Sequence, residues 1–373
     1  LFVVMLEISL APHTLFFRRP AATSRGLLHE RGIWFVTARD SHHRDVIGWG
    51  ECGPIPGLSP DDHPGYAHLV QRMVDEINAD GVSLRATSHH SVQEAIAGLM
   101  AEFSAELALL PSFAFGLETA LLDLLTGGRR RLWETPFTRG EAGLETHGLI
   151  WMDTPENILH QIDVKIAAGH RVIRMKVGSL SFDQECELLA EVRRRFTARQ
   201  MELRLDANGA FSPDEALDRL TCLARFEVAF IEQPIPAGHT NQMARLCRRS
   251  PIPICLDEEL IGVAAHERRS LLAAIRPQHI ILKPALLGGF SACRAWIDAC
   301  DEVGCQWWIN SLLESNIGLN AICQWSAAVG GGRVHGLGTG QLFTNNTASP
   351  LRYVMAQMQI DPNAAWGLPS IEP

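Results

Sequence analysis

From Thr146 onward, short apolar runs alternate with longer amphipathic stretches, and Gly, Pro, Asn or Asp stand between them. The apolar runs are "THGLIWM", "RVIRMKVG", "MELRLDANG", "VAFIEQP", "IPICLDE", "HIILKP", "CQWWINS" and "RVHGLGTG". They predict eight strands starting near residues 146, 171, 201, 228, 252, 279, 305 and 333. The stretches between them read as helices. Thr154-Pro155-Glu156 starts one, Leu188, Leu189, Val192 and Phe196 mark the apolar face of the next, and Ser212-Pro213-Asp214-Glu215 forms a capping box. Eight β-then-α units in one run predict a parallel sheet closed into a barrel.

Before this series the rhythm differs. "GIWFVTARD" reads as a strand, and "VIGWGECGPIPGLSPDD" as a strand entering a Gly/Pro-rich loop. Ser59-Pro60 is expected to begin a helix, with serine as N-cap. "SVQEAIAGLMAEF" and "GLETALLDLL" read as amphipathic helices.

Catalytic groups of such barrels sit at the carboxyl ends of strands. Those ends hold Lys176, Asp206, Glu232, Asp257 and Lys283, at intervals of 30, 26, 25 and 26 residues, about one β/α unit each. Any one of these carboxylates alone could be a helix cap, and either lysine a surface residue. The five together point to one mouth. Alternation agrees: Met201, Leu203 and Leu205 share one face, while Glu202, Arg204 and Asp206 share the other, and Arg174 with Lys176 likewise point inward. Arg174 and Arg204 are expected behind the site, paired with its carboxylates.

Three carboxylates on adjacent strands need a counter-charge. An all-oxygen set suits a hard divalent cation, Mg2+ first and Mn2+ second. The cation would bind a small-molecule carboxylate and stabilise the charge left when a neighbouring C–H loses its proton. A lysine on either side could move that proton, provided its surroundings disfavour the ammonium.

Composition narrows the alternatives. The 373 residues are 46% hydrophobic and 20% charged, a globular profile. A net charge of -9 argues against a nucleic-acid partner. No run approaches the ~18 apolar residues of a membrane span, and the apolar start carries Glu7 without a basic region, which argues against a signal peptide. Nine cysteines without a C-x-x-C read as reduced thiols of a cytoplasmic protein and not as a zinc site. "HGLGTGQ" could offer backbone N–H groups to an anion.

These residues resemble the enolase superfamily and, within its muconate-lactonizing-enzyme-like subgroup, the o-succinylbenzoate synthase family. "RMKVG" resembles the family's K-x-K, "LDANGAF", "FIEQPIP" and "CLDEEL" its three metal-ligand segments, and "ILKPALLGG" its sixth-strand lysine motif. "PAATSRG" and "SLLESNIG" point to the synthase. The resemblance implies a (β/α)7β barrel over residues 116–340, and an α+β capping domain of residues 1–115 to which residues 341–373 return. It implies Lys176 and Lys283 as catalytic lysines and Asp206, Glu232 and Asp257 as Mg2+ ligands, with Asn208, Arg174 and Arg204 supporting them. Arg25, Ser311 and Gly338 are expected to touch substrate. The implied reaction is dehydration of 2-succinyl-6-hydroxy-2,4-cyclohexadiene-1-carboxylate to 2-succinylbenzoate in menaquinone biosynthesis. The alternatives are an N-acylamino acid racemase or dipeptide epimerase on the same site, and a non-catalytic, metal-stabilised binding protein. Arg174 departs from the motif's first lysine and cannot serve as a base.

Overall fold

The computed structural model describes residues 2–23, 26–86 and 89–369. The chain opens with strands β1 (Phe2–Thr23), β2 (Gly26–Asp40) and β3 (Ile47–Cys52), then α1 (Tyr66–Ala79), β4 (Ser83–Ala86), α2 (His89–Glu102), α3 (Ser104–Ala108) and α4 (Pro111–Leu125). The four strands form an antiparallel sheet in the order β3-β2-β1-β4. Helix α1 covers it with a stripe of Tyr66, Val70, Met73, Val74 and Ile77. Helix α4 is buried along almost its whole length, between this sheet and the rest of the molecule. Two glycines let it lie directly on β3: a Cβ at Gly48 would fall 2.0 Å from the Ala120 carbonyl oxygen, and one at Gly50 1.9 Å from that of Gly116.

Ser59 does not cap a helix. Its hydroxyl accepts from Ile55 N at 2.8 Å, and buried Asp61 accepts from Ser112 N at 2.9 Å and Ser112 Oγ at 2.6 Å. The Ser-Pro-Asp-Asp run thus staples a loop to the start of α4, and α1 begins later, at Tyr66. At Ser212 half of the expected box forms: Ser212 Oγ accepts from Glu215 N, while the Glu215 side chain pairs with Arg219 at 2.9 Å.

After β5 (Leu144–Glu145) the alternating series runs β6 (Gly148–Ile150), α5 (Pro155–Ala167), β7 (Val172–Lys176), α6 (Phe182–Arg195), β8 (Glu202–Asp206), α7 (Ala216–Leu223), β9 (Phe230–Glu232), α8 (Thr240–Arg249), β10 (Ile254–Leu256), α9 (Arg268–Ile275), β11 (His279–Leu282), α10 (Pro284–Leu287), α11 (Gly289–Val303), β12 (Gln306–Ile309) and α12 (Asn316–Val329). Strands β6 to β12 form one parallel sheet in sequence order. The outward residues Ile173, Met175, Leu203 and Leu205 are buried under the helices.

The expected eighth strand is reduced to two isolated parallel bridges, Thr146↔His335 and Asn310↔Gly336, which close the ring between the first and seventh strands. The cause is local: the segment from Gly330 to Gly340 is rich in glycine, and a Cβ at Gly336 would meet Asn310 Oδ1 at 1.9 Å. The chain's end divides. Residues 342–344 lie against β1, with Arg18 N donating to Leu342 O at 2.7 Å and Thr344 N to Phe16 O at 2.9 Å. The hairpin of β13 (Leu351–Val354) and β14 (Gln357–Ile360) then pairs with β5 at the barrel's entry.

Candidate active site

Matched register brings the strand-end charges to one level. Lys176 pairs with Asp206 across β7–β8, and Asp206 with Glu232 across β8–β9. A cavity of about 220 Å³ opens at this end of the barrel, and Arg174, Lys176, Asn208, Asp257, Glu258 and Lys283 line one side of it. Ile55, Pro56 and Leu58 of the stapled loop, with Leu28 of β2, contribute apolar surface from the N-terminal module.

The charges are paired. The Arg174 guanidinium donates through Nε to Glu232 Oε2 at 2.8 Å, and through Nη2 to Glu232 Oε1 and Asp206 Oδ2, both at 2.6 Å. Lys176 Nζ donates to Asp206 Oδ2 at 2.8 Å and to Asn208 Oδ1. Lys283 Nζ donates to Asp257 Oδ2. Asn208, in a left-handed conformation at φ 42°, donates its own N–H to Asp206 Oδ1 and its amide to Glu258 Oε1, each at 3.0 Å. Asp206 and Glu232 are fully buried.

Burial opposes ionisation at Asp206, but Arg174 and Lys176 outweigh it and hold the carboxyl down at about 2. Glu232 goes the other way. Burial, against the pull of Arg174 and with the repulsion of Asp206 and Asp257, pushes it up to about 8. Burial likewise opposes the Lys283 ammonium, yet Asp257, Glu232 and Glu258 hold its pKa above the usual lysine range.

As they stand, no three His, Cys, Asp or Glu side chains among the described residues converge closely enough to hold an ion. The cations explain this, since Arg174 lies between Asp206 and Glu232 and Lys283 draws on Asp257. The donor chemistry fits a hard divalent cation: three oxygen side chains from adjacent strands, two of them fully buried, one pushed toward protonation by that burial.

The remaining expected residues separate. Ser311 and Gly338 line the cavity, and Ser311 Oγ lies 2.7 Å from Thr339 Oγ1. Arg204 does not pair with the strand-end carboxylates. It sits one layer deeper, stacked over Phe230 and Trp308 at 5.0 and 5.3 Å, and donates to Glu202 at 2.7 Å. Arg25 lies outside the described residues. Glu258 was not anticipated, although it directly follows Asp257. Asn310 was also missed, and the strand-end rule applied to "WWINS" would have found it.

The N-terminal module is bolted to the site. Glu51 of β3 accepts from Ser315 N at 2.8 Å, from Ser315 Oγ and from Gly318 N at 2.9 Å, at the start of α12. Arg31 of β2 donates to Leu312 O at 2.7 Å and Gly53 O at 3.0 Å. These bonds fix "SLLESNIG", whose Ser311, Leu312 and Leu313 line the cavity.

An eight-segment barrel with an α+β cap and this carboxylate–lysine ring is the arrangement of the enolase superfamily, and the family model for the enolase C-terminal domain-like fold matches residues 158–368. The chain is 43% identical over 358 residues, 93% of its length and 96% of the relative's, to the o-succinylbenzoate synthase of Desulfotalea psychrophila. The crystal structure of MenC from that organism superposes with a TM-score of 0.82 at 40% identity, covering 95% of this chain and 99% of that one. The L-Ala-D/L-Glu epimerase of Bacillus subtilis is more distant, 23% identical over 299 residues, 79% of this chain and 77% of that protein. The chain belongs to the enolase superfamily and, within it, to the o-succinylbenzoate synthase family.

Proposed function

We propose that this chain dehydrates 2-succinyl-6-hydroxy-2,4-cyclohexadiene-1-carboxylate to 2-succinylbenzoate, with residues 1–115 and 341–373 capping the barrel of residues 116–340. The observation that carries this reading is the likeness to an o-succinylbenzoate synthase along almost the whole chain, and the placement of Lys176 and Lys283 fits it. They end the second and sixth of eight barrel segments, four positions apart and so on opposite sides of the mouth, and both line the cavity beside Asp257.

Asp206, Glu232 and Asp257 would hold one Mg2+, or Mn2+, which when bound supplies Lewis-acid charge for the substrate's ring carboxylate. Lys176 takes the proton alpha to that carboxylate and leaves an enediolate. Asp206 and Asn208 aim its amine. The same nitrogen, now protonated, donates to the departing hydroxyl on the same face, so water leaves and the ring becomes aromatic. Lys283, tied to Asp257, stays cationic on the other face and stabilises the developing negative charge. Arg174 cannot exchange protons at neutral pH and holds Glu232 and Asp206 in place. The apolar surface of Ile55, Pro56 and Leu58 keeps water from the enediolate. The nine unpaired cysteines suit the cytoplasm.

The opposed lysines also suit a 1,1-proton transfer, as in an N-acylamino acid racemase. An assay with the cyclohexadiene substrate and N-succinyl amino acids, side by side in magnesium, decides between them. The dehydration reading expects the first reaction to dominate in kcat/KM, and efficient racemisation with no dehydration would overturn it.

A further inference from the structure

Of the 33 basic Lys and Arg residues only three are lysines, Lys165, Lys176 and Lys283. All three line the same cavity. Lys176 and Lys283 are accounted for by the chemistry, but Lys165 is not. It lies on α5, outside the strand-end pattern, in the last turn of the helix. A basic residue there often serves only the helix dipole. Elsewhere this chain uses arginine for that purpose, with Arg193 to Arg195 closing α6 and Arg248 and Arg249 closing α8.

The local structure turns Lys165 toward the site. Its partner one turn earlier, Gln161, accepts from Trp151 N at 2.9 Å and donates to Trp151 O at 3.3 Å, which fixes this helix face against the end of β6. Gly148 leaves room for the lysine stem, since a Cβ there would come within 3.1 Å of Lys165 Cβ. The barrel wall is thin at this seam. The glycine-rich eighth segment meets the first strand at the Thr146↔His335 bridge, and the described residues show no backbone hydrogen bond between residues 148–151 and 336–339. Trp151, Tyr353 and Lys165 line the cavity there.

Four cations line this cavity among the described residues: Arg174, Lys176, Lys283 and Lys165. The first three are tied to carboxylates. Lys165 has no acidic partner among the described residues, and burial alone pushes its pKa down. Its neighbours are neutral. His170 Nδ1 donates to Thr146 O at 3.0 Å, its Nε2 lies 2.5 Å from the Tyr353 hydroxyl, and burial lowers its pKa to about 4. A partly desolvated ammonium facing a ligand cavity without a counter-ion is suited to a ligand anion.

Resting on the dehydration reading, we infer that Lys165 binds the second carboxylate of the substrate, the one at the end of its succinyl side chain, while the ring carboxylate is held between Lys176 and Lys283. Lys165 is on this account a specificity residue with no part in proton transfer.

The test is binding of 2-succinylbenzoate, and of its methyl ester at the side-chain carboxyl, to the full-length protein in magnesium, followed by calorimetry, with dehydration kinetics in parallel. The expected result is that wild type prefers the diacid, that Lys165→Met weakens diacid binding about 10- to 100-fold while leaving the ester unchanged, and that Lys165→Arg restores the preference. KM should rise with kcat nearly constant. Diacid binding in Lys165→Met equal to wild type, or a wild type that binds diacid and ester alike, would overturn the inference however fast dehydration is. A wild type that binds the diacid through Lys165 but does not dehydrate the substrate would support the inference and overturn the dehydration reading. No diacid binding at all would overturn both. A merely structural lysine would lower the Tm of Lys165→Met and weaken ester and diacid equally, which also counts against the inference.

Discussion

The two walls of the cavity are built from different chemistry. On the side of β7 to β11, buried charges cancel one another through short contacts: Arg174 with Asp206 and Glu232, Lys176 with Asp206, Lys283 with Asp257. On the side of β12, residues 335–339 and β6, the lining groups other than Lys165 are neutral, among them His147, Asn310, Ser311, Gly336, Gly338 and Thr339. There Asn310 Oδ1 and His147 Nδ1 are buried without a hydrogen-bond partner among the described residues. The charged wall stands on a continuous ladder, whereas the neutral wall closes by two isolated bridges. Proton transfer needs groups held to a fraction of an ångström, and a ladder with paired charges supplies that. Recognition of substrate shape needs surface close to a ligand, and glycines supply that.

If the walls divide the work in this way, damage to the charged wall falls on kcat. The largest effect is expected from Lys176→Ala, which removes the proposed base and acid together and should cost at least about 10³-fold in kcat. Retention within about tenfold would mean that no more than about 1.4 kcal/mol of the barrier depends on it, and the assignment would fall. Next come Asp206→Asn, Glu232→Gln and Asp257→Asn, each expected to weaken magnesium binding and to lower the rate about 10²-fold or more, with an unchanged circular dichroism spectrum. Unchanged magnesium titrations in all three would mark these carboxylates as structural partners of Arg174 and the lysines.

Damage to the neutral wall should appear in KM. Gly338 lines the cavity, and a Cβ there would come within 3.4 Å of the Tyr353 side chain, which lines it too. Gly338→Ala is expected to raise KM several-fold and to leave kcat within about twofold, on the principle that uniform binding affects KM alone. A fall in kcat with constant KM would blur the distinction between the walls.

The charged wall was legible in sequence because strand periodicity forces it. Asp206 must share a face with Arg204, and its spacing from Lys176 and Glu232 is one β/α unit. The partner of an inward side chain was not legible. Arg174 and Arg204 occupy equivalent positions on adjacent strands, yet one grips the strand-end carboxylates and the other stacks on Phe230 and Trp308. Periodicity gives a side chain's face and says nothing of its partner across the barrel. The neutral wall was read poorly for a related reason. Its residues come from irregular backbone and from distant segments such as Tyr353, which reaches the cavity only because the C-terminal hairpin pairs with β5. Ser59 misled because a Ser-Pro-Asp pattern serves a stapled loop as well as a helix start.

Smaller effects concern how the walls are held. Glu51 joins the N-terminal sheet to α12 through three hydrogen bonds. Glu51→Ala should cost about 2 kcal/mol, read as a Tm lower by about 3 °C, with a higher KM because Ser311 to Leu313 lose their anchor. At the seam, buried His335 accepts from Ile309 N through Nδ1, and burial lowers its pKa from 6.5 to about 4. It is therefore protonated more readily in the unfolded chain, so stability is lost as pH falls from 6.5 through 4. Glu118 and Glu314, pushed up to about 7 by burial, slope the other way between 7 and 4.5. The histidine's share is thus the Tm difference between wild type and His335→Gln, which should shift in favour of the variant as pH drops toward 4.

The central claim is that Lys176 and Lys283, alike in residue type and both bound to carboxylates, perform different tasks. Arginine separates these tasks, because it keeps the cation and cannot act as a base. The deciding measurement is kcat for dehydration of the cyclohexadiene substrate by Lys176→Arg and Lys283→Arg at saturating magnesium. Lys176→Arg is expected to be at least about 10³-fold slower than wild type, and Lys283→Arg to stay within about 10²-fold because its charge survives. Equal losses in the two variants, or the greater loss in Lys283→Arg, would contradict the account.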